Sequence, residues 1–136
     1  MSIVYLLDTN TISYALRDPQ KRVRSHIAAV PSERVAMSII TAMELRFGLS
    51  KTPSARNKAV VEAVLATMSV ANLPDGIAPI YGAVRAELER NGTPIGPLDT
   101  IIAAHALALG CVLVTSNMKE FRRVAQLRCE DWAAGD

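Results

Sequence analysis

The sequence has little of what holds small proteins together covalently or through zinc. Only two of its 136 residues are cysteine, Cys111 and Cys129, and no C-x-x-C pair occurs. That excludes a disulfide scaffold and a zinc knuckle. Both cysteines lie in apolar stretches and are expected to be small buried hydrophobes. Aromatic residues make up 4%, too few for a base-stacking platform of the RRM kind. The longest apolar run, "IIAAHALALGCVLV", contains His105 and Gly110 and falls short of the ~20 residues a spanning helix needs. The first residues carry no basic flank, and Asp8 interrupts the opening apolar stretch too early for a signal peptide. A soluble cytoplasmic protein with no membrane partner is therefore expected. No repeat, low-complexity tract or long linker breaks the chain, and one domain over residues 1–136 is the natural count.

What is present is a large apolar fraction in a regular order. Half the residues are hydrophobic, enough for a core without staples. "IVYLL" reads as a strand and "TNTISYALRD" as a short helix that Pro19 ends. "QKRVRSHIAAV" is a second helix, "RVAMSII" a strand, and "TAMELRFGLSK" a helix with Ala42, Leu45 and Leu49 on one stripe. "SARNKAVVEAVLATM" is an amphipathic helix and "SVANL" a third strand. "GIAPIYGAVRAELERNG" is a long helix with Pro79 in its first turn or at its start and Gly92 as a left-handed stop. After the tight loop "TPIGPLD" come the apolar helix "TIIAAHALALG", a fourth strand "CVLVTSN", and a short last strand in "LRCED". This βαα-βαα-βαα-βα-β order predicts an α/β fold with a mostly parallel sheet. Its first and fourth strands lack alternation, as strands covered on both faces do.

Four acids stand out in that map. Asp8 ends the first strand. Glu44 lies one helical turn beyond the second, Glu120 follows the fourth, and Asp99 opens the helix that feeds the fourth. In a parallel sheet with helical crossovers the carboxyl ends of the strands share one edge, so all four can converge there. Taken singly, each acid equally fits a helix cap. Thr41-Ala-Met-Glu44 and Asn117-Met-Lys-Glu120 both match a capping box, Asp8 can cap the helix after it, and Asp99 suits a helix N-terminus. Taken together, that explanation needs four unrelated caps on one edge.

Two like charges ~4 Å apart repel by ~4 kcal/mol at an effective dielectric of 20. Four gathered carboxylates must therefore protonate or recruit a cation. An oxygen-only donor set selects a hard ion, Mg²⁺ or Mn²⁺. Neither His26 nor His105 falls near these positions, and His105 reads as a helix residue, which argues against zinc. Thr9, Asn10, Thr115, Ser116 and Asn117 are candidates to orient the carboxylates and a water, and equally fit strand-end turn chemistry. The net charge is +2, from fifteen Lys and Arg against thirteen Asp and Glu. Setting the four acids aside leaves nine acids against fifteen bases, a balance that suits a polyanion. A carboxylate-held cation beside such a surface points to phosphodiester chemistry. Arg46, Arg85, Lys119, Arg122 and Arg123 are candidates to grip RNA phosphates, or simply solvated charges.

The segments "LLDTNTISYAL", "SIITAMELRFGL", "GTPIGPLDTIIAAHALALG" and "VLVTSNMKEFRRVAQLRCEDW" together resemble the VapC toxins of bacterial toxin–antitoxin pairs, which are PIN-domain ribonucleases. The resemblance spans nearly the whole chain and is least distinctive from about Pro53 to Asp75. It implies a three-layer PIN-like domain, with four or five strands flanked by about seven helices. It further implies a Mg²⁺- or Mn²⁺-dependent endoribonuclease whose motif acids are Asp8, Glu44 and Asp99. Glu120 takes the place of a fourth acid, where some relatives carry Asp nearer the strand end, at Ser116 or Asn117 here. The resemblance also implies a homodimer inhibited by a VapB-type antitoxin. Such antitoxins lay a C-terminal segment across the toxin and often place an arginine near the acids. The implied substrates are structured RNAs, with the anticodon region of initiator tRNA favoured. On this basis Asp8 and Asp99 are expected to bind the main ion. Glu44 would hold it directly or through water, and Glu120 would complete the site or serve a second one. Cleavage is expected to leave a 3′-hydroxyl and a 5′-phosphate.

Two phosphotransfer readings fail on residues. A haloacid-dehalogenase-like enzyme needs D-x-D, but Asn10 stands at the third position. A receiver domain needs an acidic pair after its first strand, and only one acid is there. A binding module whose acids seat a partner's arginine remains the alternative of a different class.

Overall fold

The computed structural model describes residues 2–17 and 20–134. The expected end of the first helix at Pro19 lies outside them. Five strands form one sheet: β1 (Tyr5–Leu7), β2 (Val35–Ser38), β3 (Ser69–Ala71), β4 (Val112–Val114) and β5 (Cys129–Glu130). Their order across the sheet is β3-β2-β1-β4-β5, and every pairing is parallel. Seven helices connect them: α1 (Thr9–Ala15), α2 (Arg22–Ala28), α3 (Ile39–Lys51), α4 (Ala55–Thr67), α5 (Ile77–Arg90), α6 (Pro97–Leu109) and α7 (Met118–Phe121). The predicted α/β class and helix count agree with this architecture, and no antiparallel strand intrudes among the described residues.

Alternation within the short strands builds the layers. Leu6, Ala36 and Leu113 point to one face, where they pack with Val84 and Leu88 of α5 and Ile102, Ala103 and Ala106 of α6. Leu7, Met37 and Val114 point to the other, against Ile12 of α1, Val23 of α2, Ala42 and Leu45 of α3, and Val61 of α4. Leu6, Leu7, Leu113 and Val114 are all fully buried, which explains the unbroken apolar runs of β1 and β4. Fully burying one such Leu or Val side chain is worth about 1.5–3 kcal/mol.

Element boundaries differ from the sequence expectation where polar residues decide them. The helix carrying Glu44 starts at Ile39, because the Ser38 hydroxyl accepts the Ile40 N–H at 3.1 Å and caps it. The expected capping box from Thr41 to Glu44 does not form. Thr41 lies inside α3, and Glu44 stands in its second turn. Asn117 precedes α7 but makes no side-chain cap. Asp8 does cap its helix, with Oδ1 accepting the Thr11 N–H at 2.8 Å. Gly92 and Gly110 take left-handed φ values of 69° and 67° just beyond α5 and α6, where a side chain would be strained. Pro79 lies in the first turn of α5, as expected. Cys111 is buried, whereas Cys129 on the edge strand β5 is only half-buried. Among the described residues no helix is long and apolar enough to cross a membrane.

Candidate functional site

The chain steps outward from β1 through β2 to β3, then returns to lay β4 on the other side of β1. Connections diverge at the carboxyl ends of β1 and β4, which opens a crevice where ligands bind in folds of this kind. Leu7 pairs with Val114, so the next residues on each strand, Asp8 and Thr115, face each other at the mouth. The Asp8 amide donates to the Val114 carbonyl at 3.0 Å. The Thr11 hydroxyl donates to that carbonyl at 3.1 Å.

Asp8 is 2% exposed. Burial pushes its carboxyl above the ordinary range. Hydrogen bonds from Thr115 and the Thr11 backbone oppose that rise, and the Glu44 charge adds to it. Asp99 is the third residue of α6, after Gly96 and the helix-starting Pro97. Its pKa is raised from 3.8 to about 6, first by partial burial and then by the charges of Asp8, Glu120 and Glu44. Asp99 thus lies within electrostatic reach of the other three acids.

Two of the acids are held by neighbours. The Thr9 hydroxyl donates to Glu44 Oε1 at 2.6 Å. Asn117 Nδ2 donates to Glu120 Oε2 at 2.9 Å, while the Asn117 amide donates to Thr115 Oγ1 at 2.9 Å. Thr9, Thr115 and Asn117 thus orient carboxylates. Asn10 and Ser116 are exposed and hold none of the four acids among the described residues. Thr11, which both fixes Asp8 and bonds Val114, was not singled out in the sequence. Its signal is the Asp-x-x-Thr spacing of an N-cap with its third residue. Ser38 was missed because the apparent box at Thr41 drew the helix start two residues too late.

The bases sort into two groups. Arg46 forms an ion pair with Glu62 of α4, and Arg85 pairs with Glu89 at 3.1 Å and the Tyr81 hydroxyl at 3.2 Å. Arg123 donates to the Pro94 carbonyl at 3.0 Å, bracing the loop that leads to Asp99. Lys119 and Arg122 are exposed on and beside α7, flanking Glu120. On the opposite side of the crevice, α1, α3 and α4 enclose a groove of about 560 Å³ that runs from Thr9 and Glu44 past Leu45 and Leu49 to Arg56 and Val61.

The donor set fits a hard divalent ion. It is all carboxylate, and the repulsion that adds to burial in raising Asp99 is what a dication relieves. Among the described residues no three His, Cys, Asp or Glu side chains stand close enough as they are to hold a metal ion. The acids sense one another through charge, while Glu44 is engaged by Thr9 and Glu120 by Asn117. His105 is fully buried in α6 against Ser38, consistent with a helix residue rather than a ligand.

The sequence pattern of the PIN domain matches residues 5–127. The tRNA(fMet)-specific endonuclease VapC of Salmonella typhimurium is 40% identical over 129 residues, covering 94% of this chain and 97% of the relative. Its counterpart of the same description from Shigella flexneri is 37% identical, with 95% and 98% covered. The crystal structure of DNA-bound VapBC from Salmonella typhimurium superposes with a TM-score of 0.89 at 39% identity, covering 96% of this chain and 99% of that one.

Proposed function

The chain belongs to the PIN-domain family, and from that premise we propose that it is the toxin of a VapBC-type toxin–antitoxin pair. It acts as a divalent-metal-dependent endoribonuclease on structured RNA, built as a single PIN-like domain over residues 1–136. The observation that carries this is the pairing at the mouth of the β1–β4 crevice of Asp8, buried at the end of β1, with Glu44, which the adjacent Thr9 hydroxyl holds, and Asp99 stands within electrostatic reach of both. Mg²⁺ is the ion of choice and Mn²⁺ its substitute, since both prefer carboxylate oxygen. The relatives' description as tRNA(fMet)-specific supports initiator tRNA as the substrate; the cut is proposed in its anticodon region and the cytoplasm as the place of action.

Asp8, Asp99, Glu44 and Glu120 would hold the ion. When bound, it supplies Lewis-acid assistance to attack of water on the phosphodiester and to departure of the leaving oxygen. Asp8 is the fixed member, because Thr11 and Thr115 leave its carboxylate one orientation. Glu44 and Glu120 are the adjustable members, each swinging from a single hydrogen bond. Glu44 would also accept a proton from the attacking water. Lys119 and Arg122 flank the site and steer the RNA backbone toward it.

The groove beside Glu44 fits the seat of an antitoxin segment. Its floor is apolar, and its acidic end would receive an arginine. Met43 and Phe47, one turn apart on α3 and 59% and 66% exposed, supply an apolar face for a homodimer.

The test is sequencing of RNA ends after expression of the chain alone, beside Asp99→Asn. A cut with a 5′-phosphate that requires Asp99 and a divalent ion is expected. Undiminished cleavage by Asp99→Asn, with folding intact, would remove Asp99 from the site. Loss of catalysis from the wild type with retained partner binding would favour the arginine-seating module instead.

A further inference from the structure

One buried titratable group has no part in the chemistry above. His105 sits in α6 among Ile102, Ala103, Ala104 and Ala106, and none of its surface reaches solvent. Its Nδ1 lies 2.8 Å from Ser38 Oγ. That oxygen already accepts the Ile40 N–H; with the Asn72 backbone favouring a ring proton on the far side, we assign that proton to Nε2 and the Ser38 hydroxyl as donor to Nδ1. Nε2 is buried and, among the described residues, completes no hydrogen bond. Burial holds the imidazole pKa down, and the Asn72 backbone opposes this without completing a bond to the ring. A residue whose only task was to fill space here would be apolar, like its neighbours, and would leave no polar atom orphaned.

The bond connects two elements that each deliver an acid. Ser38 ends β2 and caps α3, which carries Glu44. His105 lies six residues beyond Asp99 on α6, about 9 Å along the helix at 1.5 Å per residue. Glu44 and Asp99 have no direct hydrogen bond among the described residues, so their spacing depends on how α3 and α6 are fixed to each other. We propose that His105 is a positioning residue of the acidic site: through Ser38 it locks the helix bearing Asp99 to the start of the helix bearing Glu44, and so sets the affinity of the four acids for a divalent cation. This rests on the metal-dependent reading above and assigns a determinant of it outside the carboxylates. Misplacement by 1 Å is enough to matter for such a constellation, and outer partners of metal ligands are typically worth 10–100-fold.

The test is a Mn²⁺ titration of the purified full chain, read by the paramagnetic resonance of free Mn²⁺, with kcat and KM on RNA measured in parallel. His105→Leu removes the bond. His105→Asn keeps an acceptor where Nδ1 stands, and Ser38→Ala removes the partner. His105→Leu and Ser38→Ala are each expected to weaken Mn²⁺ binding about tenfold and to lower kcat with KM little changed. Asn restores most of both, and the double variant Ser38→Ala/His105→Leu is no worse than His105→Leu alone. Ser54→Ala, which removes the equivalent cap from α4, leaves Mn²⁺ affinity as it was. If His105→Leu does not fold, Ser38→Ala and His105→Asn decide. Folded variants that bind Mn²⁺ within twofold of the wild type overturn the positioning role alone. A wild-type chain that binds no Mn²⁺ overturns the metal reading, and this inference with it.

Discussion

The Thr9 hydroxyl donates to Glu44 Oε1 at 2.6 Å across thirty-five positions of sequence. Thr9 directly follows Asp8, so adjacent residues at the end of β1 serve two acids: one is a carboxylate and the other holds a carboxylate. This geometry predicts that Thr9→Val, which keeps the shape and deletes the donor, slows RNA cleavage about tenfold through a freed Glu44. Thr9→Ser keeps the hydroxyl and should stay near wild type. Single-turnover cleavage of tRNA at saturating Mn²⁺ measures both, and equal rates for Val and Ser would show that the bond has no catalytic consequence.

Asp8 has two separable tasks. It caps α1 through the Thr11 N–H, and it offers charge to the site. Asp8→Asn keeps an oxygen for the cap but removes the charge. Asp8→Ala removes both and should cost a further ~1 kcal/mol of stability, the usual worth of an N-cap. Both variants should lose cleavage. Chemical denaturation should rank them with Asn above Ala, and a reversed order would show that the cap does not stabilise the chain.

The raised Asp99 pKa gives a pH dependence with a definite sign. Without metal, the folded chain holds a proton on Asp99 up to about pH 6, whereas the unfolded chain releases it near 3.8. Stability from this group is fully present below pH 3.8 and is lost as pH rises through 6. Asp8, raised for the same first cause, burial, acts in the same direction. Asp99→Asn should therefore raise the melting temperature in EDTA at pH 7, and the gain should shrink as pH falls toward 4. Mn²⁺ at 100 times its Kd should add ~2.7 kcal/mol to the wild type at pH 7, and nothing comparable to the variant. A pH-independent difference between wild type and variant in EDTA would contradict the raised Asp99 pKa.

Much of this was legible before folding, and for physical reasons. Parallel topology follows from apolar strands separated by helical patterns, and it brings strand-end acids to one edge whatever their separation in sequence. Asp8 could be read both as cap and as site residue because it is both. The start of α3 was misread because Ser38 and Thr41 are equivalent as capping residues in sequence. Only packing shows that Ser38 is the one that meets His105 and the end of β2. Side-chain partners were the least legible feature. Nothing in the sequence links Thr9 to Glu44, or distinguishes Arg46, engaged by Glu62, from Arg122.

That last distinction makes a prediction about RNA binding. Lys119 and Arg122 are exposed beside Glu120, whereas Arg46 and Arg85 are engaged by Glu62 and Glu89 on the surface. A base that contacts a phosphate releases a counterion, so its loss weakens binding and flattens the salt dependence. Lys119→Ala and Arg122→Ala should each lower RNA affinity and reduce the log K against log salt slope by about 0.7–1. Arg46→Ala and Arg85→Ala should leave that slope nearly unchanged. The measurement is fluorescence anisotropy of labelled tRNA on the Asp99→Asn chain, which cannot consume the probe, at three or more salt concentrations. A slope that falls for Arg46→Ala and not for Arg122→Ala would move the RNA path from α7 to the α3–α4 side of the crevice.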